Sequence, residues 1–247
     1  MTRRWALAFT SLALVFLTGC PQENGPPGPE GRSAFVRYVS IGTSISEGWQ
    51  SDGVVYSSQV NSWPALLARQ AMVEFGVPQI QGPGCNPPLI APLQFSRRLA
   101  GSAAAPSTQC APLYSGIDLP QNNVAISGAL TTEALNRAAS ATPASTRDSL
   151  YRRTLAVGQT QVTAMLAQDP TFVSVELGAN EVLGAATSGI LAPGVTYVPF
   201  AAWEPEYVKV IDSVKKTGAK ALLVTVPLVG SIPSMRTGAA IWAVRQQ

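Results

Sequence analysis

The chain has 247 residues, 46% of them hydrophobic and 13% charged, with a formal charge of +3. That balance suits one α/β domain with a sizeable core and excludes a disordered chain, and no Lys/Arg run is dense enough to track phosphates, which excludes a nucleic-acid footprint. No histidine occurs anywhere, so a mechanism that needs an imidazole base cannot be completed by these residues alone.

In chain order, Arg3 and Arg4 precede an apolar run from Trp5 to Leu17, then Thr18, Gly19 and Cys20. A basic start, a short apolar run and small residues before a cut site make a secretory signal over residues 1–19. The run is too short for a transmembrane helix, which needs about 20 apolar residues. Leu17-Thr18-Gly19-Cys20 resembles the lipobox of bacterial lipoproteins. That resemblance implies cleavage before Cys20, acylation of its thiol and anchoring to a bacterial membrane, with Pro21 at the next position favouring the outer one. An ordinary signal with an incidental cysteine is the alternative. The Pro/Gly-rich stretch that follows, within residues 20–33, reads as a tether lifting the domain off the bilayer. The domain itself is expected from residue 34 to residue 247.

Phe35–Ile41 is rich in β-branched and aromatic residues and predicts the first strand. Ser62 as N-cap, Pro64 in the first turn and Gly76 as the stop predict a helix over Ala65–Val73. Cys85 and Cys110 remain after Cys20. In an oxidising compartment they predict one disulfide closing a Pro/Ala/Ser-rich excursion of about 25 residues, a closure that contributes about 3 kcal/mol; two free thiols are the alternative. Asn123–Ile126 predicts a short buried strand, Thr131–Ala139 a helix capped near Thr131 or Thr132, and Arg147–Ala167 one further helix. Phe172–Leu177 predicts a strand and Tyr207–Lys216 a helix closed by Gly218. Ala221–Val226, nearly continuously apolar, predicts a strand buried on both faces, as in parallel sheets. The Arg152–Arg153 and Lys215–Lys216 pairs read as solvated helix faces. This alternation predicts an α/β fold, a three-layer α/β/α sandwich on a parallel sheet.

Ligands in open α/β sheets bind at the carboxyl ends of the strands. Three predicted strand ends here carry Gly42-Thr43-Ser44, Ser127-Gly128-Ala129 and Gly178-Ala179-Asn180-Glu181. A hydroxyl, a glycine N–H and a carboxamide meeting in one crevice would supply a nucleophile and two donors for a developing oxyanion. Read separately, Ser44 and Asn180 could cap helices and Gly128 could serve a turn.

Taken in order, these blocks resemble those of the SGNH/GDSL hydrolases, over roughly residues 34 to 235. The resemblance implies a flavodoxin-like fold and hydrolysis of acyl esters through an acyl-serine. It makes Ser44 the nucleophile, with Gly128, Asn180 and the Ser44 N–H as the oxyanion hole. It implies a small-molecule, lipid or glycan ester as substrate, and no metal or organic cofactor. Two departures stand out. Thr43 occupies the family's usual aspartate position, and the family's closing Asp-x-x-His block is absent. Asp118, Asp148, Asp169 and Asp212 lie in the wrong part of the chain to replace it. The domain therefore reads as incomplete at its C-terminus, with impaired activity. The alternative is a non-catalytic envelope lipoprotein that uses the same fold to bind glycan or lipid. The sequence does not fix the oligomeric state.

Overall fold

A computed structural model describes residues 29–101 and 110–226. The expected signal, Cys20, most of the tether, residues 102–109 and everything from residue 227 lie outside the described residues. The chain divides into two compact units, Met1–Ser33 and Ala34–Gln247. Pro29–Ala34 is a short helix, α1.

The second unit is a mixed α/β fold on a small parallel sheet. Its strands β1 (Tyr38–Ile41), β2 (Phe172–Val175) and β3 (Lys220–Leu223) are ordered β1-β2-β3. The register aligns Tyr38 with Phe172 and Phe172 with Lys220. Asn123–Ile126 runs parallel along the free side of β1. Val124 N–H donates to the Ser40 carbonyl at 2.9 Å and Ile126 N–H to that of Gly42 at 3.0 Å. Spatial order is thus 123–126, β1, β2, β3.

The connecting elements are α2 (Ser44–Glu47), α3 (Tyr56–Gln59), α4 (Trp63–Ala71), α5 (Thr131–Asn136), α6 (Thr146–Thr154), α7 (Gln161–Leu166), α8 (Asn180–Ser188) and α9 (Phe200–Lys216). Val39, Ile41, Val124, Ile126, Val173 and Val175 fill the sheet core, where they meet Leu155 and Met165. Tyr38 is buried in an aromatic group with Phe35, Phe75 and Phe172. Burial pushes its phenol up to about 12, while its hydroxyl pairs with Ser174 Oγ at 2.8 Å. The polar atoms at the strand ends are bridged from within. Gln161 Nε2 donates to the carbonyls of Gly42 and Val124, each at 2.8 Å, satisfying groups that burial would otherwise leave costly.

Several expectations are corrected. The helix predicted over Arg147–Ala167 is two, α6 and α7, because Gly158 takes φ +81° between them and Thr160 caps the second by accepting from Thr163 N–H. The stop of α4 is Met72, itself left-handed at φ 55°, and not Gly76. Ser62 is its N-cap by position but makes no capping bond. α5 starts from Leu130, whose N–H donates to Glu133 at 2.9 Å, and not from a threonine cap. α9 begins two turns earlier than predicted and carries Pro205 inside it. β3 is exposed along its whole length and not buried on both faces; among the described residues no strand or helix covers its outer edge. Arg153 is not a solvated partner of Arg152. Its Nε donates to the Ala111 carbonyl at 2.7 Å, and burial lowers its guanidinium from its ordinary value. The predicted Cys85–Cys110 disulfide is formed.

Candidate active site

Parallel strands about 4.8 Å apart deliver their following loops to the same edge of the sheet. Because 123–126, β1 and β2 are consecutive in space, the loops after them are neighbours. Their residues Ser44, Ser127, Gly128 and Asn180 line one cavity of about 450 Å³, walled by Trp49, Leu150 and Leu183 and by Arg147. The structure thus brings together the three residues expected to meet. None of Asp118, Asp148, Asp169 or Asp212 lines this cavity.

Ser44 is the first residue of α2, and Thr43, not Ser44, holds the N-cap position, with no side-chain capping bond. Ser44 is therefore not a cap. Gly42 lets this turn close: a Cβ there would lie 2.4 Å from Ser46 Oγ. Gly128 takes φ +74°, a conformation that favours glycine. Among the described residues neither the Ser44 N–H nor the Gly128 N–H donates to a protein acceptor. Asn180 opens α8 behind Ala179, and its Nδ2 donates to the Ala129 carbonyl at 2.9 Å. That bond fixes the carboxamide against the Gly128 loop and leaves its second N–H proton uncommitted.

Two buried carboxylates brace the turn. Glu176, just past β2, accepts from Thr43 N–H at 2.9 Å, from Thr43 Oγ1 at 2.9 Å and from Ser46 Oγ at 3.0 Å. Ser46 Oγ also accepts from Trp63 Nε1 at 3.0 Å. Thr43 thus serves as a double donor, through its N–H and its hydroxyl, to a carboxylate reached from across the sheet. Glu47, at the far end of α2, accepts from Ser127 N–H at 2.8 Å and from the Ser127 hydroxyl, while its Oε1 has no partner. Burial pushes its carboxyl up to about 7, against a smaller downward pull from the Ser127 bonds.

Arg147, in the first turn of α6, donates from Nη2 to the Gly128 carbonyl at 2.6 Å and to Glu133. Glu133 also pairs with Arg137 at 2.9 Å, and Arg137 with Asp148 at 2.8 Å. This ion-pair chain holds the back of the Gly128 loop.

Glu47, Glu176, Ser127 and Arg147 were not singled out from sequence as site residues. Their partners lie 80, 133, 80 and 19 positions away, and only Glu47, one helical turn after Ser44, carried a local signal. Among the described residues no group of three or more His, Cys, Asp or Glu side chains is placed to hold a metal ion. None of the helices described is long and apolar enough to cross a membrane. No family model matches this chain, and no curated protein or solved structure matches it either.

Proposed function

We propose that this chain is a serine ester hydrolase of the SGNH/GDSL type, its domain a three-layer α/β/α sandwich of flavodoxin-like strand order. We further propose that it is held at the bacterial envelope through a lipidated Cys20. The observation that carries the reading is the meeting of Ser44, Gly128 and Asn180 in one cavity beyond the carboxyl ends of β1, of β2 and of the 123–126 segment that runs parallel to β1. Ser44 would attack the acyl carbon. The free N–H groups of Ser44 and Gly128 and the second Asn180 N–H proton would receive the negative charge that develops on the carbonyl oxygen, each such donor contributing about 3 kcal/mol. Trp49, Leu150 and Leu183 provide apolar wall for the acyl or alcohol group of a small, lipid or glycan ester.

The lack of any histidine favours a second reading, a cavity that binds glycan or lipid without turning it over. Hydrolysis of p-nitrophenyl acetate by the wild type and by Ser44→Ala separates the two. The esterase reading expects hydrolysis above the uncatalysed rate and a clear fall in that rate on substitution. Equal rates for the two proteins would remove Ser44 as nucleophile.

A further inference from the structure

The cavity lacks histidine but not a hydrogen-bonded acid–base pair. Ser127 lines it beside Gly128, and the Ser127 hydroxyl donates to Glu47 Oε2, a carboxylate only 2% exposed. Glu47 lies on the same short helix that Ser44 opens, so nucleophile and carboxylate are fixed relative to one another by one turn of backbone. The Ser127 N–H, at 2.8 Å, holds that carboxylate in place. Glu47 Oε1 is buried with no partner.

Resting on the esterase reading, we propose that Glu47, acting through the Ser127 hydroxyl, is the proton acceptor of this cavity. Ser44 Oγ makes no hydrogen bond among the described residues. Once it turns to Ser127 Oγ across the cavity they share, its bond to the acyl carbon forms as its proton passes to Ser127 Oγ, the Ser127 proton passes to Glu47 Oε2, and the carbonyl π pair moves onto oxygen. Collapse of the tetrahedral adduct breaks the bond to the alcohol oxygen, which takes a proton back along the same path. Water then repeats the sequence on acyl-Ser44, releasing the acid and restoring Glu47 as carboxylate. A carboxyl that burial lifts to about 7 suits this role, since an acceptor is most effective near the working pH. The other charged groups near α2 are otherwise engaged. Glu176 is hydrogen-bonded to Thr43 and Ser46, Arg69 of α4 donates to the Val60 carbonyl, and Arg147 is paired with Glu133.

The test is the pH–rate profile of p-nitrophenyl acetate hydrolysis, blank-subtracted, for the wild type, Glu47→Gln, Ser127→Ala, Ser127→Thr and Ser44→Ala. The wild-type rate should fall about tenfold per pH unit below pH 7. Glu47→Gln and Ser127→Ala should lower the plateau roughly 100-fold and flatten the profile, and Ser127→Thr should recover it. Wild-type rates and profiles in Glu47→Gln and Ser127→Ala, with Ser44→Ala impaired, would overturn this inference and leave the esterase reading standing. An unimpaired Ser44→Ala would remove Ser44 as nucleophile and overturn the relay together with the reading it rests on, whatever the other variants do.

Discussion

The turn around Ser44 is held from two sides, and the two sides differ. On the β2 side, Glu176 is saturated, its oxygens taken by three donors from Thr43 and Ser46. On the Gly128 side, Glu47 is equally buried, yet it bonds only Ser127 and leaves one oxygen bare. The carboxylate that gathers three donors fixes backbone, while burial raises the one that meets only Ser127. The same short helix thus has a rigid anchor at its start and a titratable group at its end.

Substitutions can break that contrast. The largest effect is expected at the anchor. Glu176→Ala strands three buried donors and should lower the unfolding free energy by about 4 kcal/mol, measured by urea denaturation. The titratable side should show itself as a pH slope. Burial holds Glu47 protonated up to about pH 7, against 4.5 for an ordinary glutamate, so the folded state carries the extra proton between those values. Stability from this group is full below the lower value and is lost as pH rises through about 7, by on the order of 3 kcal/mol. Denaturation across that window should show the decline in the wild type and not in Glu47→Gln. A smaller effect is expected when the Ser127 hydroxyl alone is removed. Ser127→Ala should move the midpoint of that decline upward, because the bond favours the ionised form. The smallest belongs to an exposed control: Asp169 pairs with Arg37 at 3.1 Å with side chains 85% and 50% exposed. Asp169→Asn should therefore change stability by less than about 0.5 kcal/mol.

What the sequence made legible follows the range of the interactions. The strand ends carrying Ser44, Gly128 and Asn180 could be read because each is a short string placed after a β-branched run. The Cys85–Cys110 bridge could be read because the expected acylation of Cys20 would leave these two thiols to pair. The exposure of β3 is not legible in its sequence, since an apolar strand has the same pattern at an edge as in the middle of a sheet. The split between α6 and α7 depended on one glycine, Gly158, in a left-handed turn. The termination of α4 fell on Met72, a residue type that rarely adopts that conformation and so gave no warning. The bracing of the site was invisible, because Thr43 and Glu176 or Glu47 and Ser127 acquire meaning only once the parallel sheet sets their loops side by side. Thr43 donates to Glu176, the residue just past β2.

If an acyl group is transferred in the cavity between these loops with Ser44 as nucleophile, incubation of the full chain with an alkyl fluorophosphonate followed by peptide mass mapping should give one adduct per chain, on Ser44; no adduct, or one on another serine, would rule that out.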